Sequence, residues 1–591
     1  MKSILAPAVF LAAVVGIHTL VPTPERGEDK VDYAFNPGEI RRNICGPVGT
    51  NRGILFRPDI AHLMSAAVHA DDRPDADVVP LFPGLDHRSF PISTKVPEAQ
   101  AYYQQGFALL YAFNHWEAIR AFKKAQELDP TCAICHWGEA FAYGPNINLP
   151  MDAAASEKAV AALEKAKALI DGADARERDL ILALDTRYKA GAGAERGDMD
   201  QRFADAMAAL RAKYPDDQDI ATLYAEALMD TSPWDYWERD YATPRPHIQT
   251  AINTIEDVLA TNPDHYGAGH LYIHLYEASS MAGKAEPYAD KLADLMPGSG
   301  HLVHMPGHTY FRIGRYIDSL ETNVKAVEVD RTYLKMTTGS DIYRYGYYPH
   351  NVHFVLISAQ MAGDADIALD YANQLDALVP MELVRSAEWI APIKVAPYFV
   401  QAQFGALDDV LAVADPGDEV PYVKAMWHYM RGMALAGQGD ARAKTEQAAI
   451  DALVANGAVS NEGGMPAKTV LELASATIDG RMKQATGDLD GAVVAFHRAV
   501  ELQDSMPYME PPYWYYAAEQ SLGGALFEAG RYGEAEDAFK ASLVRHPNSA
   551  WSLYGLMKTF EKLDRPGEAA MTAKLLERAS RIEGEVSFRK L

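Results

Sequence analysis

The chain has 591 residues, 48 % of them apolar or aromatic, and its 81 acidic and 55 basic residues give a formal net charge of −26 at pH 7. That charge argues against a nucleic-acid partner, because neutralising phosphates needs clustered Lys and Arg. The length exceeds what one ordinary hydrophobic core serves. It suits a solenoid, which grows by adding repeats and has no single centre.

The first segment, Met1–Pro22 (MKSILAPAVFLAAVVGIHTLVP), places Lys2 before an apolar run from Ile4 to Val15, then small or polar residues. It reads as a secretory signal, with an uncleaved N-terminal anchor or a disordered apolar tail as the alternatives, and as a signal it implies a periplasmic or secreted protein. No later stretch is long and apolar enough to span a bilayer. Residues 23–95 are rich in Pro, Gly and Asp without a sustained helical period, and are expected to form an irregular arm packed on the solenoid. Cys45, Cys132 and Cys135 make an odd count; in an exported chain Cys132 and Cys135 could pair and leave Cys45 free.

Repeats fill 96–591. Tyr102, Gly106, Ala118, Phe122, Ala125 and Pro130 fall at the positions of a tetratricopeptide repeat, a helix–turn–helix unit of about 34 residues. Small residues let its two helices cross closely, and the proline ends the second. Further boundaries fall at Pro215, Pro263 and Pro297, and Gly523, Gly530-Arg531-Tyr532, Ala535, Phe539 and Pro547 form the clearest copy. About ten helical pairs are expected, eroded between roughly 370 and 470. The fold class is therefore an all-α tetratricopeptide-repeat solenoid. Two long aromatic insertions, Thr231–Pro246 and Lys335–Tyr348, fall where repeat proteins carry binding loops.

Two histidine pairs, His270/His274 and His304/His308, recur at an offset of 34 residues. Each is spaced i, i+4, which puts both rings on one face of a helix. Counted from the proline boundaries, His270, His304 and His353 share one repeat position facing the concave groove. His274 and His308 share another, and His301 and His350 a third. Glu277 extends the first pair to H-x3-H-x2-E. Adjacent helices lie about 8–10 Å apart, so imidazoles from neighbours could meet at one ion. Three or four imidazoles with an optional carboxylate suit Zn, Cu or Fe. The ligand candidates are His270, His274, His304, His308 and His353, with Glu277 as a further ligand or general base. His301, His350 and Arg312 are expected to line the groove around them.

Cys132-Ala133-Ile134-Cys135-His136 matches the attachment motif of c-type haem. Against that use, His136 falls where the repeat needs a packing residue, so a disulfide is the competing reading. Asn146 and Asn148 suit capping or ligand orientation, and Trp234–Trp237 could wall a pocket. Glu510–Tyr516 (EPPYWYY) is a rigid aromatic lead-in to a helix that could close the far end of the groove. Phosphate-loop, dinucleotide and G-x-S-x-G signatures are missing.

The segments PEAQAYYQQGFALLYAFNH (97–115), HWGEAFAYGPNIN (136–148), HLYIHLYEAS (270–279), GHLVHMPGHTYFRIGRY (300–316), YPHNVHF (348–354) and 510–516 resemble a widespread group of bacterial tetratricopeptide-repeat proteins. The resemblance covers nearly all of the chain after residue 80 and implies the solenoid, but no activity. The leading functional expectation is an exported protein that binds a transition metal through groove histidines, and is a metalloenzyme if an open coordination position activates water or dioxygen. The alternatives are a metal-free peptide- or protein-binding scaffold and a haem c protein. The groove's partner would be a small molecule or a peptide.

Overall fold

The first helix begins at Pro97, where a proline at the first helical position gives up only an N–H that would be unbonded anyway. The computed structural model describes residues 78–86, 90–189, 196–337, 339–461 and 465–582, with 584 and 586–588. The expected signal, most of the arm and Cys45 lie outside those residues. The described part of 78–96 contains no helix, and beyond it helix follows helix to Ala579. Among the described residues there is no strand, only two isolated bridges at Asn146–Leu149 and Trp237–Pro244. None of the described helices is long and apolar enough to cross a membrane.

The repeat grammar appears as specific contacts. Phe122, on the helix His115–Leu128, sits between Gly106 of the preceding helix and Gly138 of the following one. A Cβ would stand 2.7 Å from its ring at Gly106 and 2.5 Å at Gly138. Phe539 repeats the arrangement between Gly523 and Gly555, at 2.7 and 2.3 Å. In both places the glycines are 32 positions apart, so one phenylalanine joins two successive repeats. The fold is an all-α tetratricopeptide-repeat solenoid. Its core runs as three successive clusters along the chain rather than one.

The short turns between paired helices recur with one hydrogen-bond pattern. At Gly314, Gly363, Gly439, Gly487 and Gly530 the glycine N–H bonds three residues back and the next N–H five residues back. These glycines take φ from +71° to +84°, as such a helix end requires. In the first repeat the same two bonds form, but the left-handed residue is Phe113, at φ +54°. A bulky side chain there costs roughly 1–2 kcal/mol that glycine would avoid.

The spiral winds tightly enough for distant repeats to touch. Tyr111 packs edge-on against Tyr266, with ring centroids 5.8 Å apart. Buried Glu117 accepts hydrogen bonds from Tyr333 and Thr337, and Gly298 N–H donates to Gly84 in the arm. Trp551 Nε1 donates to the Gln360 carbonyl from 191 positions away. As a result the inner helices Tyr266–Glu277, Gly300–His304 and Tyr348–Ala362 are buried at every residue. Helices buried all round are normally apolar, yet these three carry six histidines and a glutamate.

Candidate metal centre

Four short stretches bring the imidazoles together. His270 and His274 lie on the helix Tyr266–Glu277, which His265 caps by accepting from the Ala268 N–H. His301 and His304 lie on Gly300–His304, capped by Ser299, and His308 follows on Pro306–Ile313. The helix breaks at Met305 because Pro306 supplies no N–H for the ladder. His304 and His308 still converge across the break. His350 comes from Tyr348–Ala362, directly after a π-helical turn at Tyr343–Tyr347.

The rings form two triads. His270, His274 and His301 make one and His304, His308 and His350 the other, each with a nitrogen from all three members within 4.8 Å of one another. The triads share a plan: an i, i+4 pair from one repeat and a single histidine from the next. In the first, Nε2 of His270 and His301 are 3.1 Å apart. In the second, Nε2 of His308 is 2.8 Å from that of His304 and 3.4 Å from that of His350. Each triad rests on one phenylalanine. Phe113 lies 4.6, 5.6 and 5.5 Å from the rings of His270, His274 and His301. Phe354 lies 4.8, 4.6 and 5.0 Å from those of His304, His308 and His350. The Phe113 contacts give a reason for its strained turn.

Glu277 joins the two halves. Its Oε1 lies 2.7 Å from Nδ1 of His274 and its Oε2 lies 2.8 Å from Nδ1 of His308. Burial would raise this carboxyl, but His308 and His274 outweigh it and hold the group ionised, well below the usual carboxylate range. Asn323 Oδ1 takes Nδ1 of His304 at 2.5 Å. Arg312 grips the end of the Glu277 helix, donating to the carbonyls of Glu277 at 2.8 Å and Ser279 at 3.1 Å. Buried His274 Nε2 has no hydrogen-bond partner. A cavity of about 60 Å³ touches both triads through His274, His301, His308 and His350, and is closed by Tyr347, Trp389 and Glu510 among others. By the same measure one water needs about 10–15 Å³, so the cavity holds a few small molecules at most.

Of the expected ligands, His270, His274, His304 and His308 fall in the triads. His353 stands apart, with Nε2 2.7 Å from the Tyr515 hydroxyl. The places expected beside it are taken by His301 and His350, read from the sequence only as groove lining. Glu277 touches the far nitrogens of two ligand candidates and so brackets the rings from behind. Arg312 braces the helix end and lies over the Tyr508 ring. Cys132 and Cys135 are bonded to each other, so neither sulfur is left for a thioether, and His136 packs 4.0 Å from Glu139. Trp234 meets the His274 ring edge-on at 5.4 Å, and Asn148 reaches Tyr347 at 3.5 Å. The Glu510–Tyr516 lead-in does reach the centre, through Glu510.

Burial pushes His270, His301, His304 and His350 well below the ordinary imidazole range, and neighbouring imidazoles add to the effect. His353 is lowered to about 3 by burial alone. An unfolded His353 binds its proton as pH falls through about 6.5, while the folded one does not, so its share of stability is present above that value and lost below it. At pH 5 the loss amounts to about 2 kcal/mol. Asp330 and Glu510 work in the opposite sense, because burial raises both to about 7. The clean measurement is therefore a difference. Metal-free His353→Gln should lose less stability between pH 7.5 and 5 than the parent, by about 2 kcal/mol in denaturant titrations. Equal losses would mean that His353 is not held neutral.

No family model matches the chain, and no curated protein does. Among solved structures it is similar to the human IFIT1 dimer with PPP-AAAA, at 12 % identity and a TM-score of 0.28 over 82 % of this chain and 91 % of that one. It is similar to a chain of the APC/C hetero-tetramer Cut9-Hcn1 at 13 % and 0.28, covering 81 % and 76 %, and to yeast Tom70 at 10 % and 0.24, covering 82 % and 86 %. At these values the fold assignment rests on the glycine–phenylalanine packing above.

Proposed function

We propose that this chain is a metalloprotein holding two transition-metal ions side by side, one in each histidine triad. The observation that carries the reading is the convergence of six buried imidazoles in two sets of three. Facing nitrogens 2.8–3.4 Å apart share at most one proton per contact, and an unpaired buried polar group costs about 1–3 kcal/mol. An ion bound at 2.0–2.1 Å in tetrahedral geometry sets its nitrogens about 3.3 Å apart. Three of the six rings are also placed as metal-bound histidines are, with the far nitrogen beside a carboxylate or amide oxygen. Glu277 does this for His274 and His308, and Asn323 for His304.

Three imidazoles without a carboxylate in direct reach suit zinc or copper better than the two-histidine, one-carboxylate sites of iron(II) oxygenases. Three protein ligands leave a further position on each ion, and the 60 Å³ cavity lies where both could be approached. Such ions would supply Lewis-acid or redox chemistry, while the chain's own residues orient the rings, exclude bulk water and, at Glu510, place a carboxyl in the cavity. Elemental analysis of protein purified from its native host, without chelators or an affinity tag that binds metals, tests the reading. Two equivalents of zinc or copper per chain are expected. Fewer than 0.2 equivalents, with no uptake on adding either metal, would leave the scaffold reading.

A further inference from the structure

Beside the histidine cavity lies a larger one, of about 550 Å³. The two share the wall formed by Ile342, Gly346, Tyr347 and Trp389. Phe113 belongs to this wall as well, since it lines the larger cavity and also touches all three rings of the first triad. The interior is mainly apolar, with Ile119, Leu149, Met151 and Ile390 around it. At the boundary with solvent stand Trp116 and Tyr345, 39 % and 37 % exposed and among the few large apolar residues left open on the described surface. The charged lining is already engaged or peripheral: Asp152 caps the helix Ala153–Ala168, Lys158 is exposed beside the Tyr143 ring, and half-buried Asp341 has an interaction of its own. A buried polar pair lies inside, where His115 Nε2 meets Asn146 Nδ2 at 3.2 Å, and burial lowers this imidazole to about 4, which keeps it uncharged.

Size and chemistry together describe a small-molecule site, since such sites are mostly apolar, have a few placed polar groups and enclose about 300–1,000 Å³. Tyr347 comes to the wall on a π-helical turn, a device that recurs at functional sites. Phe113 holds a left-handed conformation that glycine fills in five other repeats. Both irregularities fall on the partition between the two cavities.

Building on the two-ion reading, we infer that the larger cavity binds a neutral, mainly apolar small molecule and presents it to the metal centre across the Phe113–Tyr347 wall. The apolar body lies on the aromatic lining, and a polar end bonds at His115 and Asn146 or reaches past Tyr347. A charged metabolite is disfavoured because the lining is mainly apolar and its three charged residues, Asp152, Lys158 and Asp341, are half-buried or exposed.

The neutral fluorophore 1-N-phenylnaphthylamine serves as the probe, with the full chain, both metal-loaded and after chelation. Saturable binding of one probe per chain is expected in each state. Ala155→Trp and Ala387→Trp, at partly exposed lining positions, should each weaken it at least tenfold with an unchanged melting temperature and metal content. Should one variant misfold, the other carries the test. In cobalt-loaded protein the visible bands should shift at full probe occupancy. Absent binding, or equal binding in both filled variants, overturns the cavity assignment; unshifted cobalt bands at full occupancy overturn the link to the ions. Metal content measured on the same samples reports on the two-ion reading separately, because a protein without metal can still bind the probe.

Discussion

His304→Ala should be purified with one metal ion per chain instead of two, and His270→Ala should likewise lose one, but the other one. Each substitution removes an imidazole from a single triad and leaves three intact on the other side. Two imidazoles hold zinc or copper far more weakly than three, so micromolar chelator should strip the damaged site completely while the intact site keeps its ion. The double variant should hold none. His353→Gln is the control: its ring faces Tyr515 and belongs to neither triad, so it should retain both ions. The measurement is elemental analysis after dialysis, with far-ultraviolet circular dichroism to show that the helices persist. A His304→Ala protein that loses both ions would indicate one shared site in place of two. Unchanged content in the double variant would remove these residues from metal binding altogether.

Most of the solenoid was legible because its contacts are local. The small residue at Gly106 and the large one at Phe122 are separated by a single turn, and the same pairing recurs at Gly523 and Phe539, so periodicity alone reports the packing. The 34-residue offset of the histidine pairs was legible for the same reason. The composition of each triad was not. Repeat register placed His353 in line with His270 and His304, but the insertion at Lys335–Tyr348 and its π-helical turn separate the fates of His350 and His353. His350 meets His304 and His308, while His353 faces Tyr515 in a later repeat. Contacts across 162 positions have no local signature. Glu277 could be placed on the right face from its spacing, but its bridging of two triads depends on how consecutive inner helices cross. Phe113 carried a sequence signal that register comparison could have found: it occupies the turn position that glycine fills at Gly314 and Gly530. The Cys132–Cys135 segment shows the opposite risk, since a short motif matched a haem site while the local helix start suits a disulfide.

Glu277 should weaken both ions when it is removed, and its conservative replacement should weaken mainly one. In Glu277→Ala, His274 and His308 lose the oxygen behind Nδ1 at the same time. Each ring is then freer to turn and less basic, and loss of such a partner typically lowers metal affinity about 10–100-fold. Since one carboxylate serves one histidine of each triad, the two affinities should fall together, although no ligand has been touched. Glu277→Gln separates the effects. An amide keeps one acceptor oxygen and replaces the other with an NH2 donor, which meets an imidazole N–H donor to donor. Whichever histidine receives the oxygen keeps its support, so one site should stay within a few-fold of the parent while the other drops by the roughly 10–100-fold of an unsupported ligand. Competition titrations with a chromophoric chelator resolve two affinities per chain and read this asymmetry directly. If both sites kept parental affinity in Glu277→Ala, the carboxylate would be a buried counter-charge with no part in holding the rings. A loss confined to one site in Glu277→Ala would show that only one of the two contacts, at 2.7 or 2.8 Å, bears on a metal ligand.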